Sequence, residues 1–225
     1  MKASVRFSGA LWFFLVAGLA VQCDDSGSAP ALYSTPDDLT KVVPLQIGNS
    51  WTYRTIAFGI AGYDTTIDSI RIVDTLWMNG MKCYKYEGIP PHLFGYGDYY
   101  FEAVNQTDYC MYLCINCLSG SKTSTALDEW LPLHLLETPV SRGHQWRIAD
   151  WDSTHGSSFG TLTITNADTT VQLGAGRFDH AICLSQSSDF DHRTFLIVPG
   201  IGVIRQSIGA LDSWSEKELI AWSLR

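Results

Sequence analysis

A short glycine-flanked serine segment comes nearest to a catalytic motif in this chain. Residues 156–160 read Gly-Ser-Ser-Phe-Gly. They match the G-x-S-x-G pattern, in which a serine nucleophile sits on a strained turn from a strand into a helix. Here polar residues precede the motif, and a strand-like segment, Thr161 to Ile164, follows it. Because this order is inverted, the sequence predicts a hairpin turn and assigns no catalytic role to Ser157 or Ser158.

The cysteines beyond the N-terminal region allow three kinds of chemistry. Cys110, Cys114 and Cys117 have the C-x3-C-x2-C spacing of a [4Fe–4S] cluster, but such a cluster needs reduced thiols. A zinc site that combines these cysteines with a histidine is the second interpretation. Disulfide bonding in an oxidising compartment is the favoured one. Its candidates are Cys83, Cys110, Cys114, Cys117 and Cys183. Because their number is odd, at least one stays free or pairs between molecules.

A cluster of acidic residues beside a histidine is the remaining candidate for a ligand site. Asp189, Asp191 and His192 could offer oxygen ligands to Ca²⁺, but no glycine-bearing ligand loop surrounds them, and a solvated turn is the simpler interpretation. The other histidines share no i, i+4 pairing. The sequence therefore assigns no catalytic residue, no metal ligand and no cofactor.

The N-terminus has the pattern of an export signal. Lys2 and Arg6 precede an apolar run, Ala10 to Val21, that is shorter than the ~20 apolar residues a membrane-spanning helix needs. A positive start and a short apolar run before small residues are typical of a cleaved secretory leader. The next cysteine, Cys23, fits a lipid attachment site, and cleavage after Ala20 to give a soluble secreted protein is the alternative.

The segments that follow the leader set the predicted domain organisation. Residues 1–22 are the signal peptide, residues 23–38 are the anchor cysteine with a flexible tether, and residues 39–225 form one antiparallel β domain. The tether is rich in Ser, Pro and Asp, and a flexible chain of this length would hold the domain about 20 Å from a membrane. We therefore expect the protein in the bacterial cell envelope, membrane-anchored and facing the periplasm or the cell surface.

The charge of the chain excludes one class of partner. The formal net charge is −8, and loss of Lys2 and Arg6 with the leader changes it to −10. Nucleic-acid binding depends on clustered Lys and Arg, so no nucleic-acid partner is expected. The acidic balance also disfavours docking onto anionic lipid. A membrane contact through the lipid at Cys23, an envelope protein and an apolar ligand remain as partners, and the oligomeric state stays open.

Strand-length segments with turns between them recur from Trp51 to the C-terminus. The chain has eight Trp, ten Tyr and ten Phe, which favour pleated surfaces. Asn79-Gly80 between two such segments is a strong hairpin signal, because both turn residues need a positive φ. We therefore predict an all-β fold, an antiparallel meander forming a curved open sheet or barrel, with a two-sheet β-sandwich as the alternative. Helix-like sequence is confined to Ala126 to Leu136, where Pro132 interrupts it.

Three motifs resemble those of a loose group of uncharacterised bacterial lipoproteins. Residues 44–53 are similar to a P-L-x-x-G-N-x-W-x-Y opening, and residues 198–205 with Glu218-Leu219 are similar to a closing P-G-x-G strand and its E-L finish. Residues 174–179 are similar to a G-x-F-D turn. The resemblance implies a lipid-anchored antiparallel β domain without known activity. The motif residues themselves have structural interpretations, since Trp51 and Tyr53 share one face of a strand.

Three functional hypotheses follow from these observations. The first is a structural or interaction module of the envelope without catalytic activity. The second is a binding module in which a curved sheet encloses an apolar ligand such as an acyl chain, because sheet concavities are common pockets. The third is an enzyme, a hydrolase. An interior filled by the chain's own aromatic side chains favours the first over the second.

Overall fold

The computed structural model describes residues 37–59, 62–78, 80–88, 101–114, 130–149, 160–187, 191–210 and 213–225. Within these ranges the chain forms twelve β-strands and a single 3-10 turn at Leu39–Lys41. The strands are β1 (Ser50–Gly59), β2 (Gly62–Met78), β3 (Met81–Glu87), β4 (Phe101–Val104), β5 (Asp108–Cys114), β6 (Trp130–Glu137), β7 (Gln145–Arg147), β8 (Thr161–Leu173), β9 (Gly176–Ser187), β10 (Asp191–Val198), β11 (Gly202–Ala210) and β12 (Ser213–Ser223). The predicted all-β class is confirmed. No described helix is long and apolar enough to cross a membrane.

All twelve strands belong to one antiparallel sheet. Its order is β6-β5-β4-β3-β2-β1-β12-β11-β10-β9-β8-β7. The first and last strands of the chain therefore pair at the middle of the sheet, and two meanders run outward from them. The outer ends approach each other, since His134 on β6 donates its backbone N–H to the carbonyl of Ile148, one residue past β7, at 2.6 Å. The sheet is thus curved until it is nearly closed, and it does not form the two-sheet sandwich.

Glycines with positive φ form the turns of two hairpins. Gly80 has a φ of +78° in the β2–β3 hairpin, and Gly200 has a φ of +79° in the turn between β10 and β11. Only glycine adopts such values without strain. Residues 105–107 form the turn that joins β4 to β5. The strand-like segment Thr161 to Ile164 is the first part of one longer bulged strand, β8.

The prediction of helix-like structure near Pro132 is wrong for the described residues. Residues 130–137 form β6, which pairs with β5 through a bulge. Pro132 lies in this terminal strand of the sheet, where a missing N–H costs little because one side of the strand has no regular partner. Leu133, Leu135 and Leu136 are buried in the core, and this packing outweighs the intrinsic helix preference of the segment.

The interior of the sheet holds most of the core, and one hairpin adds a second layer outside it. The distal half of the β8–β9 hairpin bends over β12, where the backbone N–H of Gly174 donates to Glu218 Oε1 at 2.7 Å. The ring of Phe178 lies 5.6 Å from that of Trp222. Consecutive residues of β9, such as Ile182 and Cys183, are therefore both buried although they face opposite sides of the sheet.

Candidate functional site

The opening and closing motifs contact each other directly. Trp51 donates its indole N–H to the carbonyl of Ile201 at 2.7 Å, and the Tyr53 hydroxyl donates to the carbonyl of Val203 at 2.7 Å. Both rings are buried on one face of β1, as their i, i+2 spacing predicts. The two motifs therefore form one structural joint between β1 and the start of β11.

Asn49 ties the same joint to the C-terminus. Its side-chain amide donates to the carbonyl of Pro44 at 2.7 Å, and its Oδ1 accepts the backbone N–H of Arg225 at 2.8 Å. Asn49 is buried, and Gly48 beside it has a φ of +93°. A Cβ at Gly48 would also approach the Arg225 side chain to 2.8 Å. These contacts give the G-N pair of the motif a role in packing and turn formation.

A buried carboxylate organises the interior beside Trp51 and Tyr53, where the rings of Trp51 and Tyr86 lie 6.2 Å apart. Glu102 on β4 is 1% exposed, and its Oε2 accepts hydrogen bonds from the hydroxyls of Tyr86 and Tyr109, each at 2.7 Å. Burial, and then the charge of Glu102, hold the pKa of both tyrosines well above the ordinary value. Tyr53 is equally buried, and its pKa is raised for the same two reasons. The chain's own aromatic side chains therefore fill this level of the interior.

A polar row lies nearer one end of the same inner face. Thr55, Lys217 and Gln206 are cross-strand neighbours on β1, β12 and β11. Thr55 Oγ1 and Gln206 Nε2 are buried and have no hydrogen-bond partner among the described residues. Burial lowers the pKa of Lys217, against the opposing effect of Asp68. This row is a second polar feature of the interior besides Glu102.

Exposed aromatic side chains mark the outer face at this end of the sheet. Tyr63, Phe58 and Trp214 are consecutive cross-strand neighbours on β2, β1 and β12, and the rings of Phe58 and Tyr63 lie 4.9 Å apart. Ile67 on β2 is 65% exposed and Tyr63 is 78% exposed. We call the outer face formed by Ile56, Phe58, Tyr63, Ile67 and Trp214 the aromatic overhang.

Asp108, Cys110 and His134 form a compact cluster of metal-ligand side chains. One ligand atom from each of the three lies within 4.8 Å of the other two. Cys110 donates its thiol hydrogen to Asp108 Oδ2 at 2.8 Å, and His134 Nδ1 lies 3.0 Å from both carboxylate oxygens of Asp108. Burial raises the pKa of the Cys110 thiol, and the Asp108 hydrogen bond and charge raise it further. The sequence brings two of these residues together by i, i+2 spacing, but only the β5–β6 register adds His134.

The predicted disulfide candidates are distributed over several strands. Cys83, Cys110 and Cys183 are buried, and burial raises the pKa of Cys83 to about 11. Cys83 and Cys110 lie on β3 and β5 with β4 between them, so their Cα atoms are about 10 Å apart, beyond the span of a disulfide. Cys114 ends β5, while Cys117 lies outside the described residues. A disulfide at any of these cysteines stays a prediction.

The other predicted features are only partly described. Cys23, the leader, Ser157, Ser158 and Asp189 lie outside the described residues. His192 is an exposed residue of β10, and its register partner is Gly209. His180 pairs with Asp168 at 2.9 Å on the surface, where both side chains are more than 40% exposed. Neither histidine contributes to the Asp108–Cys110–His134 cluster.

No protein-family model matches the chain, and no curated protein matches it. The chain is similar to the crystal structure of a predicted lipoprotein from Parabacteroides distasonis, with 10% identity over 81% of this chain and 98% of the other, at a TM-score of 0.43. It is also similar to a protein from Bacteroides fragilis that is predicted to be exported and has a YmcC-like fold, with 12% identity, the same coverages and the same TM-score. A predicted outer membrane lipoprotein-sorting domain from Vibrio parahaemolyticus matches 80% of this chain and 86% of its own length, with 9% identity and a TM-score of 0.25. Likenesses at this level transfer no activity, so the function rests on the chain's own residues.

Proposed function

We propose that this chain is an exported protein of the bacterial cell envelope, anchored by a lipid at Cys23, whose β domain binds an envelope polypeptide through the aromatic overhang. The observation that carries the proposal is the position of the aromatic row Tyr63–Phe58–Trp214 on the outside of the sheet. The proposal includes no catalytic step.

The aromatic overhang projects beyond the core. Residues 62–69 of β2 are exposed at every position, and burial of that strand begins at Ile70. Single exposed apolar residues need no explanation, but a contiguous apolar patch with a polar surround is typical of an interaction site. Aromatic residues supply large contact areas with few rotatable bonds, which is why they are enriched at interfaces. The overhang is therefore suited to binding rather than to stabilising the domain itself.

The filled interior favours a surface interaction over a carrier of lipid. Tyr86 and Tyr109 meet at Glu102, and Tyr53 spans from β1 to the carbonyl of Val203 on β11. These side chains reach across neighbouring strands, from β1 over β12 to β11 and from β3 and β5 to β4, and fill the interior at this level. An acyl chain at this level would have to displace hydrogen-bonded rings, at the cost of leaving a buried carboxylate with fewer partners.

The charge and the free strand edge define the partner. Glu216 lies beside Ile56 on the overhang face, where it pairs with Arg205, whereas Asp64 and Asp68 are cross-strand neighbours of Ala57 and Tyr53 and face the inner side of β2. The cationic character of the partner rests on the charge of the whole chain, which becomes −10 without the leader and favours a segment that carries Lys or Arg next to its apolar residues. Among the described residues, β3 pairs with β2 only from Arg71 onward, so residues 63–68 can accept an added strand. We infer an extended, cationic polypeptide segment as the occupant.

Photo-crosslinking in intact cells tests the partner. A photoactivatable phenylalanine analogue replaces Tyr63 in one variant and Trp77 in a control, since Trp77 is 71% exposed at the opposite end of β2. We expect one discrete heterologous polypeptide crosslinked at position 63 and not at position 77. The crosslink should be lost in Trp214→Ser and should weaken with rising salt in spheroplast suspensions, because complementary charges are screened.

Other outcomes of this experiment contradict the proposal. Crosslinks to phospholipid would make the aromatic overhang a membrane contact, and crosslinks to a second copy would make it a self-association surface. A crosslinked polypeptide that persists unchanged in Trp214→Ser would show that the aromatic row is not the binding surface.

The anchor is tested separately by Cys23→Ser. This variant should lose labelling by fatty acid and should leave the membrane fraction, because a serine offers no thioether for the diacylglycerol. Cys83→Ser is the matched control and should stay labelled. Undiminished membrane association of Cys23→Ser would disprove the lipoprotein assignment.

A bound small molecule is the second candidate function, and one observation favours it. Thr55 Oγ1 and Gln206 Nε2 flank Lys217 inside the sheet without a described hydrogen-bond partner, which is costly unless another group satisfies them. Native mass spectrometry of the full chain tests this hypothesis. A reproducible extra mass that is lost in Gln206→Leu would establish a ligand in the interior. The mass of the polypeptide without any addition would rule this candidate out and leave polypeptide binding as the proposed function.

A further inference from the structure

We propose that Asp108, Cys110, His134 and Glu137 form a binding site for a transition-metal cation, with Zn²⁺ as the preferred occupant. The ligand atoms of the first three lie within 4.8 Å of one another. Glu137 Oε1 lies 3.5 Å from His134 Nδ1 and completes a four-residue set. The proposal concerns a different region of the sheet from the aromatic overhang and does not depend on the function proposed above.

A β-bulge in the β5–β6 ladder brings the four residues together. The register places Asp108 opposite Glu137 and Cys110 opposite His134, and it shifts between these two pairs. In a regular ladder the pairs would be separated by equal numbers of residues on both strands. The bulge takes up the extra residue Leu135, and it brings His134 over Cys110.

Backbone contacts hold two of the ligands in place. The backbone N–H of His134 donates to the carbonyl of Ile148, and its own carbonyl accepts the indole N–H of Trp146 at 3.0 Å. On the other strand, Asn105 Oδ1 accepts the backbone N–H of Asp108 at 2.8 Å. The ligands thus sit on rigid strands at the seam where the curved sheet nearly closes, which favours a preorganised site.

The donor set is the one that zinc prefers. Thiolate, imidazole nitrogen and carboxylate oxygen are its common protein ligands, with bonds of about 2.0–2.3 Å. In a tetrahedral site such bonds place the ligand atoms about 3.4 Å apart. The separations here are 2.8 Å from Cys110 to Asp108, 3.0 Å from His134 to Asp108 and 3.5 Å from His134 to Glu137. To reach that spacing, the Cys110–Asp108 pair would widen by about 0.6 Å and the His134–Asp108 pair by about 0.4 Å.

Binding has a simple proton balance. Cys110 carries a hydrogen that it donates to Asp108, and it would bind the metal as a thiolate after releasing that one proton to solvent. His134 Nδ1 donates its hydrogen to the Asp108 carboxylate, so it would lose that hydrogen to solvent while Nε2 takes one up, with no net change, and would then bind through the Nδ1 lone pair. No electron is transferred. Two carboxylates and a thiolate around a single imidazole give the pocket a negative charge that a divalent cation offsets.

A second histidine–aspartate pair shows what a purely structural contact looks like in this chain. His180 and Asp168 are 2.9 Å apart, but their side chains are 46% and 41% exposed. The His134 and Asp108 side chains are only 23% and 20% exposed. Among the described residues, the Cys110 thiol lies beside His134 and Asp108, whereas no third metal-ligand side chain forms such a group with His180 and Asp168. The His180 pair therefore serves as a matched control.

Cobalt titration of the full chain tests the site. The chain, expressed with its N-terminal segment and purified in mild detergent, is stripped with a chelator and titrated with Co²⁺, then with Zn²⁺. We expect one equivalent of Co²⁺ with a sulfur-to-cobalt charge-transfer band, and displacement of that band by Zn²⁺. Cys110→Ser should abolish the band, and His134→Asn should weaken Co²⁺ binding at least about 100-fold, the upper end of what losing a group around a metal site costs.

The control variants make the test decisive. Cys83→Ser removes a buried thiol two strands away, and His180→Asn removes the control histidine at a φ of +62° that asparagine tolerates. Both should bind Co²⁺ as the unmodified chain does. If Cys110→Ser fails to fold, Glu137→Gln replaces it and should weaken binding about 10-fold or more. A titration without a charge-transfer band, or equal losses in Cys83→Ser and Cys110→Ser, would overturn the proposal.

Discussion

Two tyrosine hydroxyls donate to one oxygen of a buried carboxylate, and their removal one at a time measures how that group stabilises the domain. Tyr86→Phe and Tyr109→Phe each delete one 2.7 Å hydrogen bond to Glu102 Oε2 and keep the packed ring. Tyr53→Phe is the matched control, because its hydroxyl is equally buried but donates to the neutral carbonyl of Val203 at 2.7 Å.

The expected losses of unfolding free energy differ because Tyr86 and Tyr109 donate to a carboxylate, whereas Tyr53 donates to a neutral carbonyl. A hydrogen bond to a charged group contributes about 1.5–3 kcal/mol to the free energy of unfolding, and one between neutral groups contributes about 0.5–1.5 kcal/mol. Tyr86→Phe and Tyr109→Phe should therefore each cost about 1.5–3 kcal/mol, and Tyr53→Phe should cost less. The double variant Tyr86→Phe/Tyr109→Phe should lose more than the sum by about 0.5–3 kcal/mol, since the two hydroxyls share one acceptor.

Glu102→Gln should change the free energy of unfolding in opposite directions in the unmodified chain and in the double variant. In the unmodified chain it should destabilise the domain, because an amide accepts weaker hydrogen bonds than a carboxylate does. In the double variant it should stabilise the domain, because a neutral amide loses less hydration on burial than a charge with fewer partners.

Urea unfolding of the full chain in mild detergent measures these quantities. The midpoint and slope are followed by the fluorescence of the tryptophans, and an unchanged slope shows that the denatured state is comparable among variants. Additive losses in the double variant, or losses in Tyr109→Phe no larger than in Tyr53→Phe, would refute the shared-acceptor argument. A destabilising Glu102→Gln in the double variant would refute the charge argument.

Two further predictions concern the backbone and the pH dependence of stability. Gly88→Ala should lower the free energy of unfolding in urea clearly more than Gly80→Ala does. At Gly80, with a φ of +78°, an added Cβ meets open space, so only backbone strain of about 1–2 kcal/mol is expected. At Gly88 an added Cβ would also lie 2.5 Å from the backbone oxygen of Ser69. Equal costs would show that the chain relaxes at Ser69. Burial raises the pKa of Tyr53 and Tyr86 above the ordinary value, so their protonated forms stabilise the fold fully below about pH 10, and this contribution falls as the pH rises toward the folded-state pKa. The urea midpoint should therefore decline above about pH 10, and Tyr53→Phe should decline less steeply; parallel curves would contradict the assignment.

Much of the local structure was predictable from residue type and spacing. Trp51 and Tyr53 lie on one buried face because strand side chains alternate, and Gly80 forms its hairpin turn because only glycine adopts that φ without strain. The helix-like interpretation of residues 126–136 was wrong for its described part. A segment of leucines around Pro132 has no decisive period by itself, and its pairing with β5 fixes it as a strand.

The candidate sites depended on contacts between residues far apart in the chain. The W-x-Y and P-G-x-G motifs are each visible in the sequence, but their hydrogen bonds require β1 to pair with β12 at the middle of the sheet. Asp108 and Cys110 are two residues apart, yet His134 joins them only through a bulge that no local pattern marks.

The sequence by itself determined the secondary-structure class and the hairpin turn at Gly80, because alternation and turn chemistry are local properties. The export signal at the N-terminus stays a prediction. Only the tertiary structure decided which strands meet, that the sheet curves until it nearly closes, and that Asp108, Cys110 and His134 share one site. Register and closure are set by the packing of the whole interior, and a shift of one residue would turn every side chain of a strand to the opposite face.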